Sequence, residues 1–493
     1  MTTIQTPLGA LRGRERNGCR QFLGIRYGQP TGGERRFHPP EPVKPWDGIC
    51  DATRFGASAP QPPRAADSVL PRGDLRWDED CLFLNVYTPA AEGSGRPVLF
   101  WIHGGSYING SGNAYDGTSF ATAGDMVVVT INYRLGAFGF AELGHLDPKY
   151  AGSQNNGVRD MIEALRWARD NIAAFGGDPD RVTICGESAG AGAVNALLCS
   201  PEARPLFHQA ISESAPARFG LPGTEFADQL RAEVVGETEA SLDDLLTMPA
   251  EDLLTAQTSL LERGYSELGV SLITSQRRGF RPAIDGITLT SNPPEAVAGN
   301  PVPLLIGTNL DEGTLFSLYL PEKMSDDELA ASASGAGSDA QTVIEAFRSE
   351  YPELDNRQLA VRMLGDTLFR TSSLQVADAQ AATDVPVFVY LFTWKSRGFH
   401  GSFGAMHALE IPFVWNMDLS PWEKLMGEGQ PWPDDLSSRM HRAWISFVHT
   451  GDPNHTGIPD WPRYDTENRP TIEFGESSQV LTDPHGTTRA SWA

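Results

Sequence analysis

The chain has 493 residues, of which 40% are hydrophobic and 21% are charged. This is the composition of a globular protein, and it excludes a disordered chain, a coiled coil and a collagen. Its 39 basic and 63 acidic side chains give a formal net charge of −24, which argues against a nucleic-acid partner and against docking to an anionic membrane.

The cysteines and the N-terminus bear on compartment and cofactors. None of the five cysteines has C-x-x-C spacing; they are Cys19, Cys50, Cys81, Cys185 and Cys199. We therefore expect neither a disulfide scaffold nor a zinc site, and no metal or organic cofactor. No signal peptide and no run of 18 apolar residues can be read. The expectation is a cytoplasmic protein without membrane contact, either a monomer or a weak homodimer.

The first 215 residues alternate between strand and helix patterns. Apolar runs predict strands at Leu82–Thr88, Pro97–His103 and Met126–Asn132, and runs that are apolar on both faces are typical of sheets covered by helices on each side. Residues Gly157–Phe175 change to helical spacing. Further along, a strand is predicted at Arg181–Cys185, a small-residue helix from Ala189 and a strand at Gln209–Ser212.

The second half returns to strands after long helical segments. Strands are predicted at Val302–Gly307 and Val387–Phe392, and a late helix at Asp434–His449. Residues 220–300 have a mostly helical composition, and the stretch Ser325–Arg348 is polar and rich in Ala and Ser. The pattern predicts an α/β fold with helical insertions.

The strongest motif is Gly186-Glu-Ser-Ala-Gly190, directly after a strand and directly before a helix. In this context the glycines permit a sharp turn that exposes Ser188 as a nucleophile. Ala189 then offers a main-chain N–H at a helix start. The alternative is an ordinary surface turn.

A second motif, His103-Gly-Gly-Ser106, follows the predicted strand Pro97–His103. Glycines here let main-chain N–H groups converge on one point, as an oxyanion hole requires. The alternative is a glycine-rich turn without a role in chemistry. We expect His103 itself to be a packed, hydrogen-bonded residue rather than a base.

A nucleophilic serine needs a base, and in this chain order the base follows it. Seven histidines qualify by position: His208, His400, His407, His441, His449, His455 and His485. We expect the two on the late helix to be solvated, and His208 lies too close to the serine helix. His407 lies in a small-residue loop after the strand Val387–Phe392, and spacing alone does not exclude His400.

The acid that orients the base is expected just past a strand end. Asp311 and Glu312 follow the strand Val302–Gly307, and spacing does not choose between them. The pair His407 and Glu410 could also be interpreted as two metal ligands, but no third ligand cluster stands nearby.

Taken together, these motifs resemble those of the type-B carboxylesterases, a family that includes bacterial p-nitrobenzyl esterases and the cholinesterases. The resemblance covers nearly the whole chain. It is carried by Phe175–Gly190 around the serine, and by Glu79–Val86, Asn132–Gly136, Asn309–Gly313 and His407–Phe413. It implies an α/β-hydrolase fold with a central, mostly parallel sheet flanked by helices. It also implies one domain over residues 1–493, with insertions at about 220–300 and 315–400 that roof the active site.

The resemblance also assigns roles to residues. It implies a triad of Ser188, His407 and Glu312, with Ser214 and Glu187 in support. The main-chain N–H groups of Gly105, Ser106 and Ala189 would form the oxyanion hole. Ser106 departs from the family's usual Gly or Ala, which bears on acyl-chain preference. No cysteine stands near Ala59, where secreted relatives have the disulfide partner of the residue matching Cys81.

The expected activity is hydrolysis of small-molecule carboxylic esters through an acyl-enzyme. Three alternatives are the same mechanism aimed at carbamates, amides or aromatic diesters, a non-catalytic binding relative, and a lipase acting at lipid interfaces. Tyr107, Phe316 and Phe392 are candidate pocket walls, although core packing explains Phe392 better.

Overall fold

A computed structural model describes residues 1–63, 76–216, 242–268, 280–334, 339–417, 420–427, 429 and 431–492. Thirteen strands of this part form one sheet. In chain order the strands are Thr2–Thr6 (β1), Gly9–Arg16 (β2), Cys19–Arg26 (β3), Ile49–Asp51 (β4), Phe83–Pro89 (β5), Arg96–Ile102 (β6), Val127–Ile131 (β7), Gly177–Glu187 (β8), Gln209–Glu213 (β9), Leu304–Asn309 (β10), Val387–Phe392 (β11), Pro470–Phe474 (β12) and Ser478–Thr482 (β13).

The strand order is β1-β2-β3-β5-β7-β6-β8-β9-β10-β11-β12-β13, and β4 pairs with β2. The seven strands from β7 to β12 in this order are parallel, whereas the pairings at both flanks are antiparallel except that of β2 with β4. Because the central strands run in one direction, their carboxyl ends lie along the same edge of the sheet. The loops that follow β6, β8, β9 and β10 leave from that edge.

Helices lie between these strands along the chain. The described α-helices are Thr118–Gly124 (α1), Gly136–Phe140 (α2), Asn156–Asn171 (α3), Ala189–Leu198 (α4), Leu242–Thr247 (α5), Ala250–Leu268 (α6), Pro293–Gly299 (α7), Asp326–Ser334 (α8), Ala340–Glu350 (α9), Asn356–Gly365 (α10), Thr371–Ala381 (α11), Ile411–Val414 (α12), Glu423–Met426 (α13), Asp434–Thr450 (α14) and Gly486–Ser491 (α15). A π-helical turn, Asp366–Arg370, joins α10 to α11. No helix in these described ranges has the length and apolarity needed to cross a membrane.

The predicted elements are found with small shifts at their ends. Every residue of β6 and β7 is buried, as expected for runs that are apolar on both faces. The predicted helix Gly157–Phe175 is α3 followed by one 3-10 turn that ends at Gly176, where φ is +83°. Strand β8 begins four residues earlier than predicted because Gly177 pairs with Arg96 of β6.

One prediction on the late helix α14 is wrong. His441 is not solvated but only 4% exposed. Its ring packs against Phe120 of α1 with 4.3 Å between ring centroids, and its Nδ1–H donates to the Val414 carbonyl (2.8 Å). His449 is half-buried and bonds to the Gly124 carbonyl (2.6 Å). Helix α14 is therefore covered on a second side by α1, which its one-sided apolar pattern did not predict.

Two sequence-predicted segments lie partly outside the described ranges. Residues 217–241 and 269–279, within the first predicted insertion, are not described. The polar stretch Ser325–Arg348 contains helix α8 and most of helix α9.

All five cysteine thiols are free, and only that of Cys50 is exposed.

Candidate active site

Ser188 occupies the turn between β8 and α4. Its backbone lies at φ +56° and ψ −123°, a region that non-glycine residues rarely adopt. The Ser188 N–H donates to the Glu213 carbonyl at the end of β9 (2.9 Å). A side chain at Gly190 is impossible here, because an added Cβ would lie 2.1 Å from the Ile102 carbonyl oxygen of β6. The turn is thus held against two neighbouring strands, and the serine side chain stays half-buried.

His407 lies between this serine and an acid. Its Nε2 is 2.8 Å from Ser188 Oγ, and its Nδ1 is 2.5 Å from Glu312 Oε2. Because Glu312 accepts the Nδ1–H, Nε2 is left free to accept the serine proton. The structure brings His407 to the serine, whereas His400 is exposed elsewhere.

Glu312 begins the 3-10 helix that follows β10. Its Oε1 accepts the Ser214 hydroxyl (2.5 Å) and the Asn309 N–H (2.7 Å). With Oε2 on His407, both carboxylate oxygens are occupied and the carboxylate is only 2% exposed. These donors fix the side chain in one orientation toward the imidazole.

Asp311, the other candidate acid, points elsewhere. Its Oδ1 pairs with Arg362 (2.7 Å), and its Oδ2 accepts the Ala405 N–H (2.8 Å). The Asp311 N–H in turn donates to the Ala405 carbonyl (2.9 Å). Asp311 therefore fastens the segment Leu310–Glu312 after β10, called the acid loop below, to the loop that carries His407.

The three predicted oxyanion donors lie around the serine turn. In the described part of the chain, the main-chain N–H groups of Gly105, Ser106 and Ala189 donate to no acceptor. Gly105 and Ser106 have φ values of +109° and +56°. The preceding Gly104 must lack a side chain, since a Cβ there would lie 3.1 Å from Ser188 Cβ and 2.7 Å from the Glu187 carbonyl oxygen. The loop after β6 therefore packs closely against the Ser188 turn, and its unused N–H groups lie in the two residues that follow Gly104.

His103 is packed and hydrogen-bonded, as expected. It is 1% exposed, stacks on Tyr133 with 4.5 Å between ring centroids, and its Nδ1 lies 2.8 Å from the Gly104 carbonyl. This places it in the loop's framework rather than in reach of proton transfer.

Two further buried carboxyls lie behind the serine and the histidine. Glu187 Oε1 is 3.2 Å from His407 Nε2, and Glu410 accepts a hydrogen bond from Asn309 Nδ2. Burial, followed by the neighbouring carboxylates, raises the pKa of both groups well above the usual range. Loss of a proton from either carboxyl is therefore disfavoured, whereas both oxygens of Glu312 have hydrogen-bond donors. His407 and Glu410 are three residues apart because they lie in the same loop. No group of side chains that could hold a metal ion occurs among the described residues.

Aromatic rings enclose the imidazole. Phe369 stacks on His407 with 4.3 Å between ring centroids, and Phe316 lies at 5.4 Å. Phe392 is fully buried against Phe413, which is core packing. Tyr107 is buried against Phe140 with 5.0 Å between ring centroids. Of the three candidate walls, only Phe316 is placed against the base by these contacts.

Sequence reasoning missed several residues that shape this site. Phe369 lies in the π-helical turn Asp366–Arg370, a feature with no sequence signature. Arg362, which holds Asp311, comes from helix α10, far along the chain. Glu213 was overlooked although it stands next to Ser214. Its position at the end of a predicted strand was the available signal.

The chain is similar to proteins named as esterases and hydrolases. The model of the carboxylesterase family matches residues 1–492. Para-nitrobenzyl esterase from Bacillus subtilis is 36% identical, over 99% of this chain and 97% of that protein. Phenmedipham hydrolase from Pseudarthrobacter oxydans is 34% identical, over 97% of this chain and 96% of that protein.

Solved structures give the same result for the fold. The carboxylesterase Est55 of Geobacillus stearothermophilus superposes with a TM-score of 0.88 at 37% identity, and the match covers all of both chains. A PNB esterase structure superposes with a TM-score of 0.87 at 36% identity, over 100% of this chain and 99% of that one. The sheet and its flanking helices are therefore those of an α/β-hydrolase. The chain belongs to the carboxylesterase family and is a carboxylic ester hydrolase.

Proposed function

We propose that the enzyme cleaves small-molecule carboxylic esters through an acyl-enzyme formed on Ser188. The observation that carries this is the chain of contacts from Ser188 Oγ to His407 Nε2 (2.8 Å) and from His407 Nδ1 to Glu312 (2.5 Å). A serine with a base in line, and a base with a carboxylate behind it, is the arrangement that nucleophilic acyl transfer requires.

In the first half-reaction, Ser188 Oγ attacks the ester carbonyl while His407 takes its proton. The imidazolium that forms is held and stabilised by Glu312. The N–H groups of Gly105, Ser106 and Ala189 stabilise the negative charge on the tetrahedral oxygen, and loss of one such donor would raise the barrier by about 3–4 kcal/mol. His407 then donates its proton to the departing alcohol.

In the second half-reaction, a water molecule replaces the alcohol. His407 removes its proton, hydroxide adds to the acyl carbon, and Ser188 leaves with the proton returned by the same imidazole. Ser214 supports these steps by fixing Glu312 (2.5 Å), and the raised pKa of Glu187 disfavours a second negative charge beside the base. No cofactor takes part in these steps.

The proposal includes a single catalytic domain. Its insertions at about 220–300 and 315–400 form the roof of the active site. Phe316 supports this for the second insertion, because its ring lies against the His407 imidazole. The acyl and alcohol groups would be enclosed between this roof and the sheet edge.

The test is hydrolysis of p-nitrophenyl acetate, butyrate and octanoate from pH 5 to 9, with phenmedipham added because one relative is named for its hydrolysis. We expect wild type to turn over at least the shorter esters and Ser188→Ala to lose about 10⁶-fold in kcat. Equal activity of both proteins would remove the serine from the mechanism. Complete inactivity of wild type on every substrate would contradict the ester-directed proposal.

A further inference from the structure

Glu213 is a buried carboxyl that none of the proposed steps uses. It is the last residue of β9 and is completely inaccessible to solvent. Its main-chain carbonyl accepts the Ser188 N–H (2.9 Å), which ties it to the nucleophile's turn. Its side chain makes hydrogen bonds to Trp444 and Cys185 and to none of the three residues proposed to react.

The Glu213 carboxyl is held by neutral donors alone. Its Oε1 accepts the indole N–H of Trp444 on helix α14 (2.7 Å) and the thiol of Cys185 on β8 (3.4 Å). Its Oε2 has no partner among the described residues. With no cation in contact, burial raises the pKa of Glu213 to about 7, and the hydrogen bonds from Trp444 and Cys185 only partly oppose it.

The carboxyl belongs to a cluster with a single cationic group. The titratable side chains that interact with Glu213 are Cys185 and Glu187 of β8, Tyr390 of β11, and Glu410 of the loop that carries His407. Glu187 pairs with Glu213 across the two strands and lies in turn 3.2 Å from Nε2 of His407, which brings the imidazole into this set. Charge on Glu213 raises the pKa of Glu187, Tyr390 and Glu410. The protonated imidazole of His407 is the one group of this set that negative charge on Glu213 stabilises.

We propose that Glu213 is a positioning residue that braces the Ser188 turn and sets the pH range in which His407 works as a base. This inference rests on the proposed function, in which His407 is the base that accepts the proton of Ser188. When Glu213 loses its own proton near neutral pH, its charge stabilises the imidazolium formed in the transition state. Below that pH the group is neutral and has no such effect.

Glu213→Gln separates the charge from the shape. The amide keeps an oxygen that accepts the Trp444 N–H, but it cannot ionise. At pH 5 we expect the variant and wild type to have the same kcat/KM on p-nitrophenyl acetate. At pH 8 we expect kcat to be about threefold to tenfold lower in the variant, with KM unchanged, and the rising limb of the profile to lie about half a pH unit lower.

Trp444→Phe tests the same idea in the opposite direction. Without the indole donor the Glu213 carboxylate is less stable, so the group ionises at higher pH. The rising limb should therefore extend to higher pH in this variant. A merely structural role would lower activity in both variants at every pH, without opposite displacements.

The control is Glu163→Gln on helix α3, a second glutamate whose pKa burial raises and which lies beside Arg166 (3.5 Å). Its profile should coincide with that of wild type. A Glu213→Gln profile that coincides with wild type, or a uniform loss at all pH values, overturns the inference. If Glu213→Gln does not fold, the displacement in Trp444→Phe decides. Activity retained by Ser188→Ala would instead overturn the proposed function.

Discussion

Two acidic residues are adjacent in the chain after β10, and their side chains make different contacts. Glu312 faces His407, while Asp311 joins the acid loop to Arg362 and Ala405. Their spacing from the strand could not separate them, since successive residues in a turn point in directions that only the full backbone path fixes. The family resemblance, not the residue pattern, pointed to Glu312.

This difference predicts unequal effects for two substitutions, each of which replaces a carboxylate by the corresponding amide. Glu312→Gln removes the carboxylate that holds the Nδ1–H of His407, and we expect kcat to fall by about 10⁴ with little change in fold. Asp311→Asn weakens the pairing with Arg362, and we expect a lower Tm with a much smaller loss in kcat. Steady-state kinetics and calorimetry of both variants give the comparison. Equal losses in kcat would contradict the assignment of the acid.

At the scale of elements, the decisive unit is β8, its turn and α4. The glycine spacing around Ser188 predicted this unit correctly as strand, turn and helix. The sequence also predicted the strands that flank it, because burial on both faces leaves an unbroken apolar run. The π-helical turn behind His407 could not be predicted, since one extra residue in a helix leaves no compositional trace.

Close packing of this unit makes Gly190 irreplaceable. In Gly190→Ala the new methyl group would meet the Ile102 carbonyl oxygen at 2.1 Å, so β6 and α4 must separate. We expect a loss of several kcal/mol in stability, visible as insoluble expression or a sharply lower Tm.

The matched control is Gly299→Ala, at the end of helix α7, where an added Cβ meets nothing within 4 Å. There alanine should leave Tm unchanged or raise it slightly, because it restricts the unfolded chain. If Gly190→Ala were as stable as Gly299→Ala, the turn would accommodate a Cβ at Gly190, which would contradict the contact with the Ile102 carbonyl oxygen.

At the scale of the whole molecule, three buried carboxyls make folding sensitive to pH. Burial raises the pKa of Glu187, Glu213 and Glu410 above the ordinary glutamate value. The sequence could not reveal this cluster, because its members come from β8, β9 and the loop before α12, and only the parallel sheet brings these together. Composition gives the net charge but not which of the acidic side chains are buried.

The sign of the effect follows from proton linkage. Between the unfolded glutamate value of about 4.5 and the folded value of about 7 for Glu213, the folded chain binds more protons than the unfolded chain. The free energy of unfolding therefore falls as pH rises through this window, on the order of 3 kcal/mol for Glu213.

We expect a higher Tm at pH 5.5 than at pH 8, and a smaller difference in Glu213→Gln, when both are scanned by calorimetry in the same buffer series. Glu163→Gln again serves as the comparison. A Tm that rises from pH 5.5 to pH 8 would show that these acids are ionised in the folded protein at low pH.

The order in which the sheet receives its strands has a consequence for synthesis on the ribosome. Ser188 and the N–H groups proposed to bind the oxyanion follow β6 and β8, which emerge well before Glu312, and His407 is the last of these residues to be translated. A chain that ends before His407 lacks the base proposed to remove the proton of Ser188. On the proposed mechanism, we therefore expect nascent and truncated chains to be unreactive until the C-terminal third of the chain has joined the sheet.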